Sequence, residues 1–370
     1  MLKLAWRNLT HERTRLIISM AGVAFAVLLI LVMSGIFAGG EEQATAYIRN
    51  QPALLWVMQA GVENIHMASS ILPADAVERV RQVPGVDTAV GVLYAGGGVE
   101  VGNTLVPSYF FGVDPGAPFG GPWSLAEGTS EPAANEIVVD QAFARRYGFG
   151  LEDTVSVMGY RLVIAGLSNG TFGLAVNITF VNKAALAQVM GVPSQSSSYI
   201  LVKPTPDADL PRLADSLRAT LPETNVMTQA NFIASERDLI RQMGVDVIRA
   251  MNSVAYMIGL LVIGLTIYTA TLERSREYGV LKAIGARTPQ LVRVVVAQAL
   301  VAAGLGYLVG VGLAYGISIV VSRLAPDIPI LIQPLQLLRE VPVLAFITAL
   351  AALLPVGRLA RLDPLEAFRA

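Results

Sequence analysis

Cysteine is absent from the 370 residues, and histidine occurs only at His11 and His66. The first absence excludes disulfides, thiolate nucleophiles and cysteine metal sites. With two histidines so far apart in the chain, a His-based metal cluster or catalytic triad has almost nothing to be built from. Charge is scarce as well: Asp, Glu, Lys and Arg make up 15% of the residues, against about 25% in an average soluble domain. The formal net charge of -1 gives no ground for nucleic-acid binding. No G-x-x-x-x-G-K-S/T occurs, and Gly96-Gly97-Gly98 lacks a following Gly-Lys-Ser/Thr, so it reads as a turn and not a phosphate loop.

What takes the place of charge is apolar sequence, 54% of the chain. Uncharged runs lie between Arg15 and Glu41, Arg249 and Glu273, Arg293 and Arg323, and Glu340 and Arg358, of 25, 23, 29 and 17 residues. A helix needs about 20 residues to cross a hydrocarbon core of about 30 Å. The first three runs suffice, and the fourth is short, with Pro342 and Pro355 as start and stop signals. Ala44-Thr45-Ala46 after the first run resembles a signal-peptidase site, but the run exceeds the apolar core of a signal peptide. No ionisable residue falls inside the four runs, which argues against a proton relay or pore.

Basic residues near short loops orient such a chain. The stretch before the first run, the loop 273–293 and the tail together carry 12 basic residues against five acidic ones, whereas 39–245 carries 12 basic against 20 acidic. Both termini and the 273–293 loop are therefore expected in the cytoplasm, and 39–245 outside. This places His11 and His66 on opposite sides of the membrane. The expected organisation is a cytoplasmic amphipathic N-terminal helix (1–15), with Leu2, Trp6 and Leu9 on one stripe, followed by a first span at 16–38. An extracytoplasmic domain (39–245) follows, then a second span (246–272), a cytoplasmic loop (273–289), a third span (290–322), a short outer loop (323–340), a fourth span (341–358) and a cytoplasmic tail (359–370).

Within 39–245 a strand at 54–58, a helix at 73–83 and a strand at 86–93 form one strand–helix–strand unit. A second reappears at 199–202, 209–221 and 225–228. Two such units suggest a split ferredoxin-like subdomain. The interval 105–195 reads as a β-rich insertion, with strands at 136–139, 154–157, 162–165 and 178–181. Glu41-Glu42 and Glu152-Asp153 read as solvated acidic surface. In the third span Gly306-x-x-x-Gly310 and Gly312-x-x-x-Gly316 suit close helix packing in lipid.

The stretch Thr271-Leu-Glu-Arg-Ser-Arg-Glu-Tyr-Gly-Val-Leu-Lys-Ala-Ile-Gly-Ala286 closely resembles the cytoplasmic segment of MacB/FtsX-type ABC transporter permeases, an E-R-x-R-E-x-G-x-L-K-A-I-G-A pattern. The tail Arg361-Leu-Asp-Pro-Leu-Glu-Ala367 resembles the family's ending, and 72–86 and 138–157 resemble parts of its outer domain. The resemblance implies a membrane α-helical fold with four transmembrane helices and a large extracytoplasmic α+β domain, a MacB-like porter domain with a β-rich insertion. It implies a split permease subunit of the type VII group, like DevC, LolC and HrtB, in the bacterial cytoplasmic (inner) membrane. Such a subunit pairs with a second permease copy in a homodimer and with two copies of a separate cytoplasmic ABC ATPase, which bind the ATP and Mg. A membrane-fusion or extracellular partner and membrane lipid complete the implied partners; the chain itself is expected to bind no cofactor and to have no catalytic site. The implied activity is extrusion of an amphiphilic or hydrophobic substrate such as haem, lipid or peptide by mechanotransmission. The alternative is an FtsX-like, non-transporting regulator of cell-wall hydrolases, disfavoured by the size of the outer domain.

On this reading Glu273, Arg274, Glu277, Tyr278, Gly279, Leu281, Lys282, Ile284 and Gly285 couple to the ATPase. Tyr278, Leu281 and Ile284 supply an apolar stripe and Arg274 and Lys282 a polar rim. Met20, Gly22, Met33, Tyr256, Gly259 and Tyr268 are candidates for a substrate or dimer cavity between the first two spans. The topology yields the first prediction: in this cysteine-free chain, a cysteine at Ser130 or Ser196 should react with an impermeant maleimide on intact cells. One at Ser275 should not, and the reverse pattern would reject the orientation.

Overall fold

The run Leu55-Trp56-Val57-Met58 has no polar residue to turn outward, so a strand built from it must be covered on both faces. The computed structural model describes residues 13–67, 69–173, 177–273, 286–325 and 327–353, together with Val280 and Ile284. In it the run forms β1 (Leu55–Gln59), flanked by β9 (Tyr199–Pro204) and β10 (Thr224–Thr228), both antiparallel. Next to β9 lies β2 (Val86–Val101), giving the order β10-β1-β9-β2. Together with α3 (Ala76–Arg81) and α6 (Leu210–Thr220), this is the split ferredoxin-like arrangement expected from the two strand–helix–strand units.

Alternation sorts the two faces. Leu55, Val57, Ile200 and Val202 lie under α3 and α6, packed on Ala76, Val80, Leu213 and Leu217. Trp56, Met58, Tyr199 and Leu201 face the other way, into an aromatic core with Tyr47, Phe111, Phe180 and Phe232. Tyr47 belongs to the short helix α2 (Ala46–Asn50) and stacks on Phe111 with ring centres 3.8 Å apart.

β2 is shared along its length between β9 and β3 (Thr104–Val113), with β6 (Thr154–Val157) pairing near its end. Val86–Val92 pair with β9, and Leu93–Val101 pair with β3 across a hairpin that turns at Gly102, φ +58°. The triple glycine is therefore not a turn but the middle of a strand. A Cβ on Gly97 would stand 2.1 Å from Met158 Cε, and one on Gly98 would stand 2.6 Å from Leu105 Cδ1. The interval 105–195 continues the same sheet through β3, β8 (Ile178–Asn182), β5 (Glu136–Asp140), β7 (Tyr160–Ser168) and β4 (Leu125–Gly128), with β6 (Thr154–Val157) joining β2 and β7. Two helices that the sequence reading did not place, α4 (Gln141–Tyr147) and α5 (Lys183–Met190), follow β5 and β8 directly. Asp140 accepts from the Ala142 N–H and Asn182 from those of Ala184 and Ala185, and left-handed Gly148 and Gly191 end the helices.

α7 (Gln229–Glu273) is 45 residues long, about 67 Å at 1.5 Å per residue. The boundary expected at 245/246 thus falls inside one continuous helix. Its first turns are held firmly: Phe232 and Glu236 are fully buried, and Gln229 Nε2 donates to the carbonyls of Ile48 and Gln51. Glu236 Oε2 accepts from the Ile65 N–H at 2.7 Å, and its Oε1 pairs with His66 Nδ1. His66 stands edge-on to Tyr109. Burial, reinforced by the Glu236 charge, raises the phenol pKa of Tyr94, Tyr109 and Tyr199. Glu41 and Glu42 are not freely solvated: Arg241 grips Glu41 through two hydrogen bonds of 2.9 and 3.1 Å, and Arg49 and Arg237 pair with Glu42.

By its contacts the chain divides into a globular unit, Gly39–Met243 with Ala325–Pro329, and a helical unit, Met1–Ala38, Gly244–Leu324 and Ile330–Ala370. In the former, Asp327 is ion-paired with Arg146 of α4. Among the described residues four helical stretches are long and apolar enough to span a membrane: Ile17–Ala44 in α1 (Arg13–Ala44), Arg249–Thr269 in α7, Thr288–Leu324, which is α8, and Pro334–Ala351 in α9 (Pro334–Leu353). The expected amphipathic helix at 1–15 falls mostly outside the described residues, and α1 already begins at Arg13. The fourth helix begins at Pro334 and not at 341, because proline at a helix start lacks only an N–H that would be orphaned anyway. Pro342 lies inside it, as lipid-embedded helices tolerate, and the Tyr307 hydroxyl donates to the Leu337 carbonyl at 2.8 Å. Arg339 and Glu340 consequently belong to the same helix as the fourth apolar run, although they lie just before the run itself. α8 lies against α1 at Gly306 and Gly310, where a Cβ would stand 2.7 Å from Val23 Cβ and 2.8 Å from the Ala24 carbonyl oxygen. Gly312 and Gly316 have nothing within 4 Å.

Two expectations follow. Glu236→Leu leaves His66 and the Ile65 amide without their partner, and breaking a buried pair in this way costs about 3–5 kcal/mol; a sharp fall in the melting temperature of the purified chain checks it. Gly310→Ala should lower that temperature through the Ala24 carbonyl, while Gly316→Ala should leave it unchanged. For labelling, Ser196 is buried and Ser130 exposed, so Ser130 is the informative position.

Candidate functional site

Three helices of the helical unit each contribute one face to a narrow crevice. α1 gives Ala26, Val27 and Ile30, α7 gives Ala255, Tyr256 and Gly259, and α9 gives Glu340, Leu344 and Ile347. The spacings of three, four and seven residues are those of a single helical stripe. The crevice measures about 20 Å³, room for one water or a group of similar size. Its walls are apolar, and two of the residues that line it are joined by a hydrogen bond, the Tyr256 hydroxyl donating to Glu340 Oε2 at 2.9 Å. Tyr256 lies about 10 Å along α7 from Arg249, and Glu340 about 9 Å along α9 from Pro334, so both sit inside the apolar stretch.

Of the six residues proposed for a cavity, the structure brings Tyr256 and Gly259 together here. Gly22 instead serves packing, since a Cβ there would stand 2.0 Å from Val262 Cγ1. Met20 and Met33 are half-buried on α1 and do not line the crevice. Tyr268 lies about 18 Å further along α7. Glu340 was missed because the search for charge-free runs began just after it; the signal that could have found it is the helix-start preference of Pro334.

Of the proposed coupling residues, Glu273 closes α7. Arg274, Glu277, Tyr278, Gly279, Leu281, Lys282 and Gly285 lie outside the described residues. Val280 and Ile284 are joined by a helical hydrogen bond, Ile284 N–H to the Val280 carbonyl at 3.1 Å. The Ile284 side chain is 76% exposed, an apolar group turned away from its own chain. α8 then opens at Thr288, and the Gln290 side chain accepts from the Arg287 N–H as in a capping box.

The globular unit has a larger, solvent-open cavity of about 330 Å³, lined in part by Asp114, Phe119, Trp123 and Glu131. Its carboxylates are already engaged, Asp114 by Lys183 and Glu131 by the Gly116 N–H. Among the described residues no group of three His, Asp or Glu side chains gathers to hold a metal ion.

Comparison with known proteins fits this architecture. Residues 16–220 match the MacB-like periplasmic core domain, and residues 249–364 match the FtsX-like permease C-terminal domain. An uncharacterized ABC transporter permease of Mycobacterium tuberculosis is 27% identical over 100% of this chain and 99% of its own length. The pyoverdine export ATP-binding/permease protein PvdT of Pseudomonas savastanoi pv. phaseolicola is 24% identical over 98% of this chain, which spans 58% of that protein. The macrolide export ATP-binding/permease protein MacB of Agrobacterium fabrum is 25% identical over 99% of this chain, which spans 60% of it. With both family domains matched in order and covering most of its length, the chain belongs to the MacB/FtsX family of ABC transporter permeases.

Proposed function

We propose that the chain is the membrane subunit of an ATP-driven exporter that acts by mechanotransmission on an amphiphilic or hydrophobic substrate. The observation that carries this reading is the exposure of two apolar side chains, Val280 and Ile284, in the segment between α7 and α8. An apolar side chain held outward within so charged a stretch (Glu273 to Arg287) has a purpose when a partner covers it. The partner is a cytoplasmic ABC ATPase, two copies serving a permease dimer and carrying the ATP and Mg. Glu273, Arg274, Glu277, Tyr278, Gly279, Leu281, Lys282, Ile284 and Gly285 form the contact. Both termini and this loop face the cytoplasm, as the excess of Lys and Arg on the short flanks favours.

α7 supports the transmission step. It begins with Phe232 and Glu236 buried in the globular unit and ends at Glu273, beside the coupling segment. A helix without a break is suited to carrying displacement from one end to the other. Pyoverdine and macrolide export, named for two longer relatives, are the kind of task meant, and neither cargo is assigned to this chain.

Docking is tested at Leu281. Truncating an interface anchor typically costs 2 kcal/mol or more, about 30-fold in affinity, and Leu281→Asp adds the penalty of burying an unpaired charge. The variant should insert normally yet fail to co-purify with its ATPase or stimulate it. Full capture and activity in Leu281→Asp would reject the coupling role.

A further inference from the structure

The open cavity of about 330 Å³ in the globular unit is lined by three stretches of chain, 50–52, 113–123 and 130–132, and hydrogen bonds tie them together. Buried Gln51 holds the second stretch: its Oε1 accepts from the Gly120 N–H at 2.8 Å, and its Nε2 donates to the Gly121 carbonyl at 3.1 Å. The Tyr47 hydroxyl donates to the Gly120 carbonyl at 2.7 Å. Phe119 and Trp123, both half-buried, flank this anchored pair of glycines. The third stretch lies close by, since a Cβ on Gly121 would stand 3.8 Å from the Ser130 carbonyl oxygen. From it Glu131 reaches across, its Oε2 accepting from the Gly116 N–H at 3.0 Å. Gly116, with φ +74°, belongs to the turn in which the Ala117 N–H donates to the Asp114 carbonyl at 3.1 Å; Pro115-Gly116 are the central residues of a type II turn. Asp114 and Glu131 are thus brought to the same turn.

The chemistry of the lining is one-sided. Five of its fifteen residues are proline, which presents a carbonyl and no N–H. No Lys, Arg or His is among the fifteen, and the side-chain amides of Asn50 and Gln51 donate to the Ala46 and Gly121 carbonyls. Acceptors are in surplus. Asp114 uses Oδ2 on Lys183 Nζ and Glu131 uses Oε2 on the Gly116 N–H, so among the described residues Asp114 Oδ1 and Glu131 Oε1 make no hydrogen bond. The Lys183 charge offsets that of Asp114, and among the described residues no cation pairs with Glu131, which leaves the cavity negative. Aromatic faces such as those of Phe119 and Trp123 likewise attract cations.

We infer that this cavity binds a small organic cation, an ammonium or guanidinium group attached to a compact apolar body. The cationic N–H groups donate to the free oxygens of Asp114 and Glu131, and the apolar body lies against Phe119, Trp123 and the proline rings. A volume of about 330 Å³ falls within the range of small-molecule sites, about 300–1,000 Å³. The lining serves a peptide poorly: its prolines offer no N–H to a peptide carbonyl, and β3, the strand that contributes Val113, is paired on both edges, with β2 and β8, so no strand can be added there. Proline also fixes its own φ, so the lining is largely set before a ligand arrives and little ordering opposes binding. The site contains none of the coupling residues and needs no ATPase to be filled.

The test is calorimetric titration of the full chain in phosphatidylcholine nanodiscs, without ATPase or ATP and with empty nanodiscs as the blank. The probes are phenethylammonium, its neutral analogue 2-phenylethanol and the anion phenylacetate. Phenethylammonium should bind about tenfold more tightly than the alcohol, because charge-assisted hydrogen bonds are about twice as strong as neutral ones. Phenylacetate should not bind, and added salt should weaken the amine alone. Glu131→Gln keeps an acceptor for the Gly116 N–H and should weaken the amine about fivefold, as loss of a solvent-open ion pair does at most, with the alcohol unchanged. Phe119→Leu keeps an apolar side chain and should weaken the amine about threefold through the lost cation–π attraction; it keeps the inference testable should Glu131→Gln fail to fold. Nα-acetyl-lysine methylamide, which presents the cation as a peptide would, should bind more weakly than phenethylammonium. Equal binding of amine and alcohol, uptake of phenylacetate, unchanged amine binding in either variant, or tighter binding of the capped lysine would overturn the site.

Discussion

Glu236 is a fully buried acid at the point where the sheet of the globular unit and the longest helix of the chain meet. A carboxylate has no place among Trp56, Tyr199 and Phe232 unless its oxygens are satisfied, and here each oxygen has a partner, the Ile65 amide and His66 Nδ1. Both partners sit on the segment between β1 and α3, so the requirement to satisfy one side chain fixes where that segment lies against the start of α7. Phe232, one turn earlier, fills the aromatic core on the same helix face. The arrangement is directional, unlike the apolar packing around it: a shift of one residue in α7 would carry Glu236 about 100° away from both partners. The ion pairs of Arg237 and Arg241 with Glu42 and Glu41 repeat the constraint further along the helix.

The sequence disclosed what depends on local pattern. Four apolar runs, the strands at β1, β5, β6 and β8, and the paired strand–helix–strand units needed only periodicity and turn residues. The two short helices α4 and α5 were also within reach, since Asp140 and Asn182 at their starts and Gly148 and Gly191 at their ends are ordinary capping residues. They were overlooked because seven or eight residues leave little room for a 3.6-residue period to show. Gly96-Gly97-Gly98 misled for a different reason. Gly97 and Gly98 answer to side chains that cross above them, Met158 and Leu105, and such a tertiary reason leaves no trace in the local sequence.

The candidate site divides the same way. Tyr256 and Gly259 stood out as an aromatic and a small residue at helical spacing in an apolar run. Glu340 did not, because a search for uninterrupted runs stops at a charge and so defines the very residue of interest out of the membrane. Polar residues at the edges of apolar runs therefore repay inspection in chains of this kind.

The pairing of β1 bears on how the polypeptide acquires its shape during synthesis. Its neighbours, β9 and β10, begin about 140 and 170 residues further along. A ribosome adding 5–20 residues per second takes on the order of ten seconds or more to produce them. Throughout that interval the apolar stretch Leu55–Met58 has neither edge paired, while the first spanning helix is already available for insertion. Long-range strand pairing of this sort is slow and open to misassociation. Cells making this protein thus have reason to shield the nascent globular unit until Thr228 has emerged, and truncation anywhere before that residue removes the partners that would close the sheet around β1.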